Sequence, residues 1–261
     1  MGDVSLVLRQ TYYGLKSTRR NPRAVVFALL FPVVFLLLFN SIFASGAGAV
    51  SVGGLQLDAE AYFTAGLMAY AIMLNCYSTL IISLTTQRES GQLKRYRGTP
   101  IPSWTFIAAL ILRSMVLVAV MVGAMLAIGA AAYGVDIHGS AVVGLVVYAV
   151  LGTATMCALG IAVSALTPNA DAAGTIGPFS AVILAFISSV FIPIDQLPEW
   201  LQQIGRVFPL FHLAEGLQVA FGTTSGTGLS ANNVAVLAVW AIGSAIVAAR
   251  RFKWEPQAAR G

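Results

Sequence analysis

Gln87-Arg88-Glu89-Ser90-Gly91-Gln92-Leu93-Lys94-Arg95-Tyr96-Arg97-Gly98-Thr99-Pro100-Ile101-Pro102 is a polar, basic island between two long apolar runs, 62–85 and 104–133. It holds four cations and one carboxylate. A charged side chain at the centre of a bilayer helix costs about 2.5–3.5 kcal/mol, whereas each Leu, Ile, Val or Phe returns only about 0.3–0.6 kcal/mol. The runs on either side can lie in hydrocarbon and the island cannot. The chain therefore enters lipid, leaves it at the island and enters again.

The whole composition agrees. Of 261 residues, 58% are hydrophobic and only 10% are charged, against about 25% charged in a soluble domain. That is too little charge to cover a globule in water, so most of the surface faces hydrocarbon. A net charge of +5 suggests nucleic acid in a soluble protein. Here the cations flank apolar runs, which fits anionic lipid headgroups, and nucleic acid is not an expected partner. Cys76 and Cys157 both sit inside apolar runs. Their spacing matches no metal or redox motif, so they read as small buried hydrophobes.

Working outward, the hydropathy pattern predicts an all-α polytopic membrane protein with six transmembrane helices at about 24–44, 62–85, 113–133, 141–166, 172–192 and 232–249. Residues 1–23 precede the spans. There Val4, Leu8, Tyr12 and Leu15 recur at helical spacing beside Arg9, Lys16 and Arg20, the pattern of an amphipathic helix lying in the interface. Asn21-Pro22 breaks it. A signal peptide ending in the small residues 44–47 fits less well, because the region before the apolar run is long and itself amphipathic. The run 104–133 exceeds the roughly 20 residues a span needs, so 104–112 is assigned to the interface. Asn169 or Asp171 can cap the fifth helix, and Gly174, Gly177 and Pro178 give it a bend. The proline-broken stretch 192–217 is too polar for a span and too apolar for a free loop. It predicts short re-entrant or interfacial helices between spans five and six.

Charge sets the orientation. Arg9, Lys16, Arg19, Arg20 and Arg23 precede the first span; Arg88, Lys94, Arg95 and Arg97 lie in the island; Arg250, Arg251, Lys253 and Arg260 lie in the tail 250–261. With six spans these thirteen of fifteen cations share one side, which the positive-inside rule makes cytoplasmic, with both termini there and the protein in the cell membrane. A five-span arrangement would put one of the terminal clusters outside.

No catalytic constellation is present. The chain has no G-x-x-x-x-G-K-[ST] phosphate loop, no paired carboxylates suited to acid–base work and no metal-ligand cluster. His138 and His212 read as isolated. The chain is therefore not expected to be an enzyme or to hold a cofactor. Three polar residues in apolar surroundings, Asn75, Arg113 and Glu215, are candidates for a substrate path. Each has a plainer reading. Asn75 can be an interhelical hydrogen-bond partner, Arg113 can snorkel to headgroups, and Glu215 can end a helix, pair with Arg206 or face a cavity.

The island also resembles the E-x-G-x-L…T-P-I signature of ABC-2 type permeases, the membrane subunits of ABC exporters. Phe191-Ile192-Pro193, Leu197-Pro198-Glu199-Trp200-Leu201 and Phe208-Pro209-Leu210 are similar to that family's F-x-P…L-P-x-W-L…x-P-L pattern, and Arg250-Arg251-Phe252-Lys253-Trp254-Glu255 is similar to its R-R-F-x-W-E ending. Within the family the daunorubicin-resistance type of drug-export permease is the nearest likeness. The resemblance implies a dimer of six-span subunits, identical or related, over two ATPase subunits that bind ATP and Mg. The segment 87–102 would be the coupling segment. Glu89 and Gly91 match the motif, Leu93 is its apolar anchor, and Lys94, Arg95, Tyr96 and Arg97 occupy its variable part, so the partner's groove would be acidic. The implied cargo is a drug or lipid-like amphipath. The rival reading is a non-transporting scaffold or sensor subunit using the same ATPase.

Overall fold

The structure, a computed structural model, describes residues 2–43, 48–134, 139–224, 226–252 and 254–255, without the side chains of 22–25, 27–29 and 43. His138, Lys253, Arg260, the small-residue run 44–47 and the Arg23 side chain thus lie outside the described residues. Among the described residues eleven α-helices and one hairpin follow in order: α1 (Asp3–Arg19), α2 (Pro22–Phe43), β1 (Val50–Val52), β2 (Leu55–Leu57), α3 (Ala59–Met73), α4 (Thr79–Glu89), α5 (Gln92–Arg97), α6 (Ser103–Tyr133), α7 (Ala141–Leu166), α8 (Ala170–Ile187), α9 (Glu199–Gly205), α10 (Pro209–Gly222) and α11 (Ala231–Arg251).

Five helical stretches among the described residues are long and apolar enough to cross a membrane: Ala59–Glu89, Ser103–Tyr133, Ala141–Leu166, Ala170–Ile187 and Ala231–Arg251. In α2 the described apolar part is shorter, Leu30–Ile42. This is an all-α polytopic membrane protein. Ala59–Glu89 is its axis: 72% of its apolar window is buried by the chain itself, against 22–28% for α6, α8 and α11. The outer helices present Val120, Val143, Val146, Phe179, Val239 and Ile242 outward. A soluble protein would hide such rows; here they are the lipid-facing wall.

The axial helix joins α3 to α4 through a π-helical turn, Leu74–Ser78. The sequence reading treated the whole run as regular. The extra residue in such a turn shifts the register of the two halves, and α7 closes against it. A Cβ at Gly160 would stand 2.9–3.0 Å from the carbonyl oxygens of Tyr77 and Cys76, so only glycine allows that approach. Few polar groups link the spans. Asn40 donates to Thr64 Oγ1 at 3.1 Å, both buried, joining α2 to α3. Thr155 Oγ1 donates to the Leu237 carbonyl at 3.1 Å, joining α7 to α11.

Several expectations change in detail. The fifth helix stops at Ile187, five residues before the predicted end at 192. Ser189 then takes a left-handed conformation at φ 58°, a strain of about 1–3 kcal/mol. It is held there because its carbonyl accepts from Tyr62 Oη at 2.8 Å and from Gln218 Nε2 at 2.9 Å. The cap of α8 is Asn169, whose Oδ1 accepts from the Ala172 amide at 2.8 Å. Ser103–Tyr133 is one unbroken helix, about 46 Å long at 1.5 Å per residue, so it outruns a hydrocarbon core of about 30 Å. The Gly- and Ser-rich stretch before α3 holds an antiparallel hairpin, Val50↔Leu57 to Val52↔Leu55, turning at Gly53-Gly54 with both φ positive.

The stretch 192–217 forms a single 3-10 turn (Ile194–Gln196), the exposed short α9 and then α10. At 14 residues, α10 spans only about 21 Å, too short to cross. It is nonetheless buried along most of its length, with Leu213, Ala214, Leu217 and Gln218 fully inside. It enters the bundle rather than resting on it.

Candidate functional site

The three basic segments meet at one end of the bundle. Gln10 Nε2 on α1 donates to Tyr96 Oη on α5 at 2.6 Å, and the Tyr96 ring stacks on Trp254 of the tail at 6.3 Å between centroids. Phe106 at the start of α6 completes the cluster, 4.8 Å from Tyr96 and 5.9 Å from Trp254. On α1, Thr11 is buried against α6 and Val4, Leu8 and Tyr12 stay exposed. Three of the four apolar residues read as one face are thus exposed, and the fourth, Leu15, is half-buried.

The island itself is built as a helical corner. α4 ends at Glu89 and the Gly91 amide donates to the Arg88 carbonyl at 3.1 Å. Gly91 adopts φ 70°, a conformation that costs an L-residue about 1–2 kcal/mol. The chain turns there and starts α5, a six-residue helix. The Thr99 amide at 3.0 Å and its Oγ1 at 2.6 Å both donate to the Tyr96 carbonyl and close the helix before Pro100. Glu89, Lys94, Arg95 and Arg97 are exposed, and Gly91 is half-buried. Leu93 is only 1% exposed. The apolar anchor therefore holds α5 to its own bundle, not to an outside groove, and Tyr96 is likewise turned inward.

Arg88 is the residue that sequence reasoning missed. Counted as one more surface cation, it is 1% exposed and among the largest fully buried side chains. Its Nη1 donates to the Ser164 carbonyl at 3.0 Å, and its Nη2 donates to the Thr167 carbonyl and, at 3.4 Å, to the Pro168 carbonyl. These carbonyls close the C-terminus of α7, which lacks intrahelical donors and carries the negative end of the helix dipole. Arg88 thus ties the corner to α7. Its signal in the sequence was position: it is the first cation after a span, one residue inside the helix end.

The three path candidates are not brought together. Asn75 lies in the π turn, donating to the Ala71 carbonyl at 3.1 Å and to Met121 Sδ at 3.2 Å. Ala71 is on α3 and Met121 on α6, so the second bond runs between helices. Arg113 lies below α1 near the basic end, lining a cavity of about 270 Å³ with Gln10, Gln87 and Tyr96. Glu215 is in the middle of α10 and lines a polar cavity of about 560 Å³ at the opposite end, with Ser189, Asp195, Arg206 and His212. It thus borders a cavity that Arg206 also lines. His212, read as isolated, is 4% exposed and fully engaged: Nδ1 lies 2.8 Å from Asn233 Oδ1 and Nε2 lies 2.8 Å from the Arg206 carbonyl. Among the described residues no group of three or more His, Cys, Asp and Glu is placed to hold a metal.

A bundle of apolar helices with a short, charged helix presented on a corner at one end defines a polytopic membrane protein. Comparison with known proteins gives the class its name. The model of the ABC-2 type transporter family matches residues 7–221, so the chain belongs to that family: it is a transmembrane permease of an ABC transporter, a class that partners an ABC ATPase subunit. It is 21% identical over 213 residues to a protein assigned as transport permease YvfS of Bacillus subtilis (strain 168), covering 82% of this chain and 84% of that protein. It is 22% identical over 161 residues to one assigned as multidrug ABC transporter permease YbhR of Escherichia coli (strain K12), covering 61% of this chain and 43% of that protein.

Proposed function

We propose that this chain is the permease subunit of an ATP-driven exporter, energised by a separate ATPase that contacts the segment 87–102. The observation that carries this reading is α5: a six-residue helix fixed to the bundle through Leu93 while Lys94, Arg95 and Arg97 stand exposed. Such a helix transmits force because its inner side cannot slip, and its outer side offers charge to an acidic groove. Glu89 and Gly91 set the corner from which it projects. Closure of the ATPase pair moves the corner, and Arg88 passes that movement to the end of α7. In this reading the basic end is cytoplasmic, since the described parts of the N-terminal segment, island and tail converge there, and in sequence these three segments hold thirteen of the fifteen Lys and Arg. Both termini are then inside, α2 is the first of six spans in the cell membrane, and two permease subunits, identical or related, form the path.

The cargo is a drug or lipid-like amphipath. The spans hold few polar groups, and a cleft of about 290 Å³ between α6 and α7 is lined by Met115, Val122, Leu126, Leu145 and Val146. The name of the relative YbhR agrees with a drug. Asn75, Arg113 and Glu215 mark the middle and the two ends of the bundle instead of one binding pocket.

Co-expression with the ATPase partner tests the coupling. Glu89→Ala with Gly91→Val is expected to reduce complex recovery and coupled ATPase activity by roughly tenfold, the loss of about 1.4 kcal/mol. Unchanged recovery together with unchanged activity would overturn the assignment. ATPase stimulation by amphipathic compounds in proteoliposomes separates a transporter from a scaffold or sensor subunit, which gives none.

A further inference from the structure

The cavity beneath α1 has features that coupling alone does not require. Arg113 is the tenth residue after Ser103 on α6, about 15 Å along the axis from the helix start, which is about the length by which α6 exceeds a hydrocarbon core of about 30 Å. Its stem passes directly under α1 at Gly14: a Cβ there would stand 3.0 Å from Arg113 Cδ and 3.7 Å from Nη1. A glycine on the face of α1 that meets α6 thus makes room for this side chain. Among the described residues the Nε of Arg113 is buried without a hydrogen-bond partner, and none of those that line the cavity is a carboxylate. Arg113 as a whole is half-buried, and a guanidinium partly withdrawn from water is stabilised by an anion near it.

The cavity supplies the place for one. It measures about 270 Å³, several times the roughly 30 Å³ of a water molecule and ample for a phosphate group. Gln10, Gln87 and Tyr96 add polar groups at its rim, while Phe106 supplies an apolar wall. The rim continues onto the exposed apolar residues of α1, Leu8 at 56% and Tyr12 at 60%, and Trp104 at the start of α6 is also exposed, as expected at a headgroup boundary. Acyl chains have a surface to follow. We propose that this cavity binds the phosphate of an anionic membrane lipid, with Arg113 as its cation and Gly14 as the opening that admits it. Arginine suits this use because its planar fork matches a phosphate bidentately. The same cavity is walled by Gln87 at the end of α4 and Tyr96 on α5. A bound lipid therefore braces α1 and α6 against the corner, a consequence that rests on the coupling reading, whereas the binding itself does not.

Native mass spectrometry of the full chain in detergent, titrated with phosphatidylglycerol, phosphatidylcholine or inorganic phosphate, tests the site. Phosphatidylglycerol is expected to be retained over phosphatidylcholine, and Arg113→Met, which keeps the stem and removes the charge, is expected to lower its retention by roughly tenfold. Gly14→Leu keeps the arginine but fills the space, and the same loss is expected; it decides the matter if Arg113→Met is not monodisperse. Equal phosphatidylglycerol retention in wild type and variants overturns the proposal. Saturation by inorganic phosphate with no preference for the anionic lipid overturns the lipid as its source. No ATPase is present in this measurement, so its outcome is independent of whether α5 is the coupling helix.

Discussion

At the basic end Lys94, Arg95 and Arg97 stand in solvent on a short helix whose only fully buried side chain is Leu93. At the opposite end Tyr62, Ser189, Gln218, His212 and Asn233 are polar residues that the fold has taken inside and joined to one another or to backbone carbonyls. Both ends must face an aqueous boundary, yet one displays its polar groups and the other consumes them. The difference lies in what each end has to hold. Long helices and a corner form the basic end, and their free charges can be left for a partner. A hairpin, a broken helix and the half-length α10 form the other, with many helix termini to satisfy, and internal hydrogen bonds do so.

Arg88 is the exception at the basic end, a cation spent inside, and its removal should have the largest effect. Arg88→Leu leaves the Ser164 and Thr167 carbonyls without their donor, at about 1–3 kcal/mol for each buried acceptor. We expect a fall in thermal stability in detergent and a loss of coupling together, whereas Arg95→Leu, on the exposed side of the neighbouring α5, leaves stability unchanged and weakens only ATPase recovery. Equal stability of the two variants would erase the distinction between buried and displayed cations. Gly91→Val alone is expected to come next: the left-handed corner costs about 1–2 kcal/mol with a side chain, read as a several-fold drop in complex recovery that Gly91→Asn partly restores, since asparagine tolerates this conformation.

The opposite end supplies the control. His212→Ala removes two hydrogen bonds and orphans the Arg206 carbonyl, for about 1–2 kcal/mol. Stability should fall while recovery of the complex per folded permease stays constant; a change in recovery would show that the two ends are not separable. Trp254→Ala is the smallest, about 0.5–1.5 kcal/mol from lost ring contacts with Tyr96 and Phe106. It loosens α5, and its signature is faster proteolysis near the corner with little change in melting temperature.

Much of this was legible in the residues. The alternation of apolar runs with basic islands marked where the long helices lie, because lipid leaves a chain no alternative to satisfied helices, although α6 begins ten positions before the span read at 113. Gly91 and Thr99-Pro100 marked α5 by backbone preference, a local property. The hairpin was also written locally, in Val50-Ser51-Val52-Gly53-Gly54-Leu55-Gln56-Leu57, where strand alternation surrounds a Gly-Gly turn; the glycine and serine content obscured it. The π turn carries no comparable signature, because it arises where α3 and α4 must both pack against α7 with one residue to spare.

What the sequence determined alone is the solvent. Its scarcity of charge requires a membrane, and the cost of placing a cation in hydrocarbon requires the island to stand at an end. What only the tertiary structure decided is the fate of each polar side chain. Arg88 and Arg95 are both arginines in one basic stretch, yet one closes the end of a helix some 76 positions away and the other faces water. Leu93 anchors inward, Arg113 finds a cavity under Gly14, and His212 meets Asn233. These outcomes depend on which helix ends come into reach across the bundle, and a one-dimensional pattern does not carry that information.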